Sequence, residues 1–275
     1  MALFSKADSR EVKRPALRNR AAAAFAAGEH GRLIVGAVSL LALLALWAFV
    51  AWLAQSRHFP GPGAVGAAIA AGIKSGELPY HTAITLLRVA ASFALAFAIG
   101  APIGIALGRF PKLDLFFDSW LILFLNLPAL IIIILCFVWL GQNEVAAVTA
   151  VALNKIPNVA VILREGTQAM QAGYDEMATL YRFSWWTRLR HVHLPQLAPY
   201  FAVAARSGLA IVWKIVLIVE LLGLSSGVGF KLNMYFQYFD VTGILAYALS
   251  FIAVIFVIEA VLLRPWQTAA SRWRP

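Results

Sequence analysis

Apolar residues in this chain come in long unbroken blocks, not in the period-2 alternation of a strand or the one-sided stripe of a surface helix. A membrane-crossing helix needs roughly 20 mainly apolar residues to cover about 30 Å of hydrocarbon. Leu33–Ala54, Val89–Gly108 and Trp120–Leu140 meet that length without a charged residue. Val145–Leu163 is interrupted by Asn154, Lys155, Pro157 and Asn158, Ala202–Leu222 by Arg206, Lys214 and Glu220, and Val241–Leu263 by Glu259 alone. The pattern predicts an all-α polytopic membrane protein with six transmembrane helices.

Composition supports this. Hydrophobic residues are 61% of 275 and charged residues 13%, with a mean hydropathy of +0.78. Soluble domains carry about 25% charged residues, so a water-facing surface cannot be covered here. The net charge of +10 lies in tails and loops, not on one face interleaved with aromatics, which argues against nucleic-acid binding. The single cysteine, Cys136, sits in an apolar run and excludes disulfides and cysteine metal sites. No Gly-Lys dipeptide occurs, hence no P-loop, and no HExxH metal motif. The chain is expected to be no enzyme, and to need no cofactor or metal.

The distribution of Lys and Arg sets orientation. With the amino terminus inside, Lys6, Arg10, Lys13, Arg14, Arg18, Arg20, Arg32, Arg109, Lys112, Arg164, Arg182, Arg188, Arg190, Arg264, Arg272 and Arg274 are cytoplasmic. Only Arg57, Lys74 and Lys231 fall outside. Both termini are therefore expected in the cytoplasm, with a basic tail over 1–32, a membrane domain over 33–263 and a short tail over 264–275. The first apolar block follows too long a tail, and is itself too long, for a cleaved secretory signal.

Two polar segments hold local structure. After the Phe59-Pro60-Gly61-Pro62-Gly63 turn, Ala64–Lys74 reads as a short surface helix. The long cytoplasmic segment 164–200 reads as two short helices, Asp175–Tyr181 and Trp185–His191, broken around Arg182-Phe183-Ser184, with Ser184 as cap of the second. Trp185, Trp186, Leu189 and Val192 would form an apolar face. Such a piece either wedges into a groove on a soluble partner or lies on anionic lipid.

Ions inside spans cost at least about 2.5–3.5 kcal/mol at mid-bilayer. Lys155 and Lys214 lie near the middle of their spans, and either pair within the bundle or border a wet path. Arg88 and Arg206 are expected to snorkel to an interface, with Glu220 neutralising a lysine. Gly100, Gly104 and Gly108 repeat every four residues and permit close helix approach. Pro128 and Pro157 are expected to kink the third and fourth spans, as hinges or as static packing.

In the cytoplasmic segment, Glu176-Met177-Ala178 is followed by Val192-His193-Leu194-Pro195. This spacing resembles the coupling loop of permease subunits from bacterial ABC importers: Glu-Ala-Ala, three residues, Gly, nine residues, Ile-x-Leu-Pro. The resemblance covers about residues 33–272 and is closest to the nitrate/sulfonate/taurine branch. It includes Thr85-Leu86-Leu87-Arg88, Gly100 to Gly108, Arg206, Trp213, Glu220, Gly227-Val228-Gly229 and the Arg/Trp-rich end. Arg182 stands where the family has Gly, and Met177 replaces an Ala. A glycine permits a positive-φ turn that an arginine adopts only with strain, so the geometry of this turn is at issue.

The resemblance implies a type I ABC importer permease fold with a cytoplasmic coupling helix, in a bacterial inner membrane. It also implies an ATPase subunit docking through Glu176, Ala178, Arg182, Trp185, Trp186, Leu194 and Pro195, an extracytoplasmic binding protein, and a second permease subunit in a homodimer. Arg88, Lys155, Lys214 and Glu220 are candidates for the translocation path, and a small anion is the expected solute. The alternative is a proton-coupled secondary carrier in which Lys155, Lys214 and Glu220 titrate.

Overall fold

The structure, a computed structural model, describes residues 29–56 and 58–263. The two expected tails lie largely or wholly outside them. The chain divides at Pro62 into two units. The first holds helix α1 (Glu29–Ala54), whose apolar residues from Ile34 onward are nearly all exposed, as befits a helix facing hydrocarbon. From within α1, the Trp47 indole N–H donates to the carbonyl of Pro60, beyond the helix end, at 3.0 Å and fixes the turn.

In the second unit, α2 (Pro62–Lys74) is the short helix expected from the sequence. It is followed by α3 (Glu77–Arg109), α4 (Pro111–Asn126), α5 (Ala129–Leu140), α6 (Glu144–Gln168), α7 (Ala172–Leu180), α8 (Trp185–Arg188), α9 (Leu194–Gly223), α10 (Val228–Gln237) and α11 (Val241–Ile258). A π turn, Leu189–His193, joins α8 to α9, and a second follows α11. Among the described residues, five helical segments are long and apolar enough to cross a membrane, and the pair α4–α5 makes a sixth if counted as one broken span.

Three boundaries differ from expectation. The second span begins at Glu77, not Val89, because its first three turns carry polar side chains used in internal pairing. The third is not one helix: α4 and α5 meet at 92°. Pro128 has no N–H to donate and forces the preceding residue out of the helical region, and Leu127 accordingly takes φ −68°, ψ 124°. Pro157, by contrast, lies within an unbroken α6. The fifth span starts earlier, at Leu194.

The core is a tight pair, α3 on α6. A Cβ on Gly100 would lie 2.9 Å from both the Ile156 carbonyl and the Val159 Cβ, one on Gly104 would collide with the Ala160 backbone, and one on Gly108 with Thr167. The four-residue glycine repeat is thus a groove for α6. On another face of α6, Gly166 receives the Tyr200 ring and Gly208 of α9 leaves room for the Lys155 stem. An apolar cluster of Val89, Ile133, Cys136, Val151, Val212 and Val216 fills the space among α3, α5, α6 and α9.

Candidate functional site

The helical pairing gathers charge at two levels. Arg88 and Arg109 are 21 positions apart on α3, which at 1.5 Å per residue is about 31 Å, the thickness of the hydrocarbon layer. One level collects around Arg88 and the other around Asp175, near Arg109.

At the first level, Arg88 is 4% exposed. Its Nε and Nη2 donate to the two carboxylate oxygens of Glu144, at 2.7 and 2.5 Å. Nη1 donates to Glu220 Oε1 and to the Ser226 carbonyl, and Nη2 to Ser226 Oγ, each at 2.7 Å. Glu220, fully buried, also accepts from Thr85 Oγ1 at 2.9 Å and from the Gly229 N–H at 2.8 Å. The turn after α9 is sewn to α3 as well: the Gly227 N–H donates to His81 Nδ1 and the Val228 N–H to Thr85 Oγ1. Gly227 has φ +104°, and a Cβ there would strike the Glu220 carboxylate. Lys231 Nζ reaches Glu77 at 2.9 Å.

This corrects two expectations. Arg88 does not snorkel, and Glu220 pairs with Arg88, not with a lysine. A carboxylate with three donors beside a fully bonded guanidinium offsets the desolvation that makes lone buried charges so costly. The candidate path residues do not form one group. Lys155, 1% exposed, donates to Asn158 one turn on. Lys214 is exposed on α9, with its ammonium 5.6 Å from the Trp213 ring centre. Arg206 is exposed and engaged elsewhere. Lys155, Lys214 and Glu220 therefore lack the shared site that a proton-coupled carrier would use.

At the second level, α7 and α8 are held under the ends of α3 and α9 by Asp175. Its carboxylate accepts from Arg188 Nε at 3.0 Å and Arg109 Nη1 at 3.2 Å, with His193 Nε2 3.6 Å away. Arg188 Nη2 also donates to the Asp175 carbonyl. Burial alone would raise the Asp175 carboxyl, but the hydrogen bonds from Arg188 and Arg109 and the charge of His193 outweigh it and hold it below the ordinary carboxylate value. Nearby, Arg164 of α6 bridges Asp114 and Asp118 of α4, at 2.9 and 2.7 Å.

Ser184 caps α8 as expected, accepting from the Thr187 N–H. Arg182 takes φ +49°, so the chain makes the left-handed turn that a Gly would permit freely, at the strain of a left-handed arginine. The expected apolar face is divided: Val192 is buried at 5% while Trp185 and Trp186 are 74% and 62% exposed. Ala178 and Val192 face inward and hold the loop to the bundle. Glu176, Leu180, Tyr181, Trp185 and Trp186 face out. Leu194 is exposed, and Pro195 half-buried at the start of α9. A shallow groove of about 520 Å³ runs between Glu176, Thr179, Leu180 and Arg188.

Sequence reasoning missed Glu144 and Asp175, the partners that make both levels work. Each is an ordinary first-turn acid, and only tertiary contact marks it out. It also passed over Gly223-Leu224-Ser225-Ser226-Gly227, which has the letters of a GxSxG nucleophile elbow. That motif needs a strand before the serine. Here a helix, α9, precedes the motif's serine, Ser225.

Residues 99–264 match the family described as binding-protein-dependent transport system inner membrane component. The chain is similar to the putative aliphatic sulfonates transport permease protein SsuC of Bacillus subtilis (strain 168), 27% identical, with 84% of each chain covered. It is also similar to the taurine transport system permease protein TauC of Escherichia coli (strain K12), 26% identical over 74% of this chain and 73% of that one. Its fold is similar to a chain of the inward-facing MetNI methionine ABC transporter, with a TM-score of 0.55 and 20% identity, covering 72% of this chain and 95% of that one.

Proposed function

The chain belongs to the binding-protein-dependent transport system inner membrane component family, the membrane-spanning permeases of ABC importers, and we propose that it couples to its ATPase through the Ala172–His193 segment. The observation that carries this is an apolar surface of Trp185, Trp186 and Leu180 left exposed on a segment that Asp175 nevertheless ties to Arg109 at the end of α3, while bonding Arg188 and facing His193 within the segment. A segment on lipid alone needs no such anchoring. A lever that must pass force from a docked partner to α3 and α9 does.

In this reading Trp185 and Trp186 enter a groove on the ATPase, Glu176 meets a cation at its rim, and Ala178, Arg182, Leu194 and Pro195 shape the turn and the exit into α9. The chain itself burns no ATP. Both termini and the coupling segment are cytoplasmic in this reading, which the Lys/Arg asymmetry supports. Two copies enclose the path, and an extracytoplasmic binding protein delivers the solute. The sulfonate and taurine systems of its relatives favour a small oxyanion.

The test is co-purification of the ATPase subunit with the full chain, compared among wild type, Glu176→Lys and the Trp185→Ala/Trp186→Ala pair. Retention by wild type and loss by the variants, with membrane insertion unchanged, is expected. Equal retention by all three would remove the coupling assignment.

A further inference from the structure

Arg88 is held by two carboxylates that differ in kind. Glu220 is wholly buried and fixed by Thr85 and Gly229 as well as by Arg88. The Glu144 side chain is 63% exposed, and among the described residues its carboxylate has no recorded partner other than Arg88. Yet Glu144 takes the better part of the guanidinium: both its oxygens lie along the Nε–Nη2 edge, the two parallel donors that suit a bidentate oxyanion. A cavity of about 630 Å³, lined by Gln142, Asn143, Glu144, Leu224 and Ser225, opens beside it. The space occupied by the Glu144 carboxylate thus borders solvent, while the cation beneath it does not.

We propose that the Nε–Nη2 edge of Arg88 is a receiving site for the oxyanion group of a small solute, and that Glu144 is the carboxylate that fills this edge when the site is idle. An incoming sulfonate, nitrate or carboxylate presents two oxygens at similar spacing, takes the same pair of N–H donors and accepts from Ser226 Oγ where it needs a third. Glu144 swings into the adjoining cavity and regains water. At the Arg88 edge one anion replaces another, and the displaced Glu144 charge is taken up by water in the cavity, while Glu220 keeps Arg88 ionised and in place throughout. Binding is weak by construction, because the solute must displace an internal competitor, and a weak site suits release onward. The inference rests on the permease reading but concerns the face opposite the coupling segment.

The experiment uses the full chain in nanodiscs, with its unfolding midpoint followed in sodium methanesulfonate and in sodium chloride at matched ionic strength. Glu144→Gln keeps the shape and removes the competing charge. It is expected to show a methanesulfonate-specific rise with about tenfold lower half-effect concentration than wild type, as follows when the competent state goes from one tenth populated to fully populated. Ser226→Ala in the Glu144→Gln background leaves the guanidinium edge intact and is expected to weaken that rise. Identical midpoints in the two salts for Glu144→Gln would overturn the site, as would an unchanged half-effect concentration. Retention of the ATPase by the same preparation would then show that this inference failed and the permease reading did not.

Discussion

Replacing Asp175 with Asn should loosen the coupling segment without unfolding the bundle. The amide keeps one acceptor oxygen and the side-chain volume, so what is lost is charge. The Arg109 pair, with side chains 51% and 25% exposed, sits near the middle of the range of about 0.2–1 kcal/mol for solvent-facing pairs. The Arg188 pair is less exposed, at 30% and 25%, and belongs at the upper end of the same range. Together they put the cost at about 1–1.5 kcal/mol, or up to about tenfold more of the released segment at equilibrium.

Hydrogen exchange on the protein in nanodiscs reads this directly: amides in Ala172–His193 should lose protection by up to that factor, while α3 and α6 do not change. In the assembled transporter the same variant should hydrolyse more ATP per solute moved. A double-mutant cycle with Arg109→Gln should return a coupling energy of about 0.5 kcal/mol. Undisturbed exchange in the segment, or a coupling energy of zero, would refute the tether. The pH dependence has a definite sign. The Asp175 carboxyl is held low in the folded state, so its contribution is complete above the unfolded value and is lost only as pH falls through the lower, folded value. Segment protection attributable to it should therefore be flat from pH 8 to pH 6.

Arg182→Gly should raise the stability of the segment by about 1 kcal/mol, because it relieves a left-handed conformation that costs a non-glycine residue about that much; proteolysis between α7 and α8 should slow, and faster cleavage would argue against the strain. Gly104→Val should push α3 from α6, with an overpacking cost of about 1–3 kcal/mol, seen as a lower unfolding midpoint; a neutral result would mean the helices do not touch there. Glu220→Ala should cost about 3–5 kcal/mol by leaving Arg88 short of a buried partner, more than Glu144→Ala, and the reverse order would contradict the burial of the two acids. Cysteines at Ser184 and Ser75, both exposed, should label only from the cytoplasm and only from outside, respectively.

The spans were legible because hydrocarbon tolerates few exceptions to apolarity, and the two short helices of the 172–193 segment because a capping serine marks the break between them. What escaped was pairing across long sequence distance. Arg88 lies 56 positions from Glu144 and 132 from Glu220, and no local period reports such a contact. A cation near a span end reads as snorkelling unless its partners are known. The same ignorance truncated the second span, since Glu77, His81, Thr85 and Arg88 look like a loop until their bonds to the 220–231 region are seen. The 92° turn was half visible: Pro128 marks the place, but the angle is set by the packing of α4 and α5 on their neighbours.

The two ionic levels belong to the same three elements. α3 carries Arg88 near one end and Arg109 at the other. α6 carries Glu144 and Arg164, 20 positions or about 30 Å apart. α9, with the π turn that feeds it, runs from His193 to Glu220. Between the levels, α3 and α6 are pressed together along Gly100, Gly104 and Gly108 too closely to slide, since any shift in register would drive a side chain into the backbone opposite. α9 is keyed to α6 at Gly166 and Gly208. A displacement of the coupling segment, applied through Asp175 to Arg109 and through the π turn to α9, therefore cannot be absorbed as shear within this core and must appear at the Arg88 level as movement of the whole. If two copies face one another across a path, the core moves as a lever, and what opens and closes is the space between the subunits.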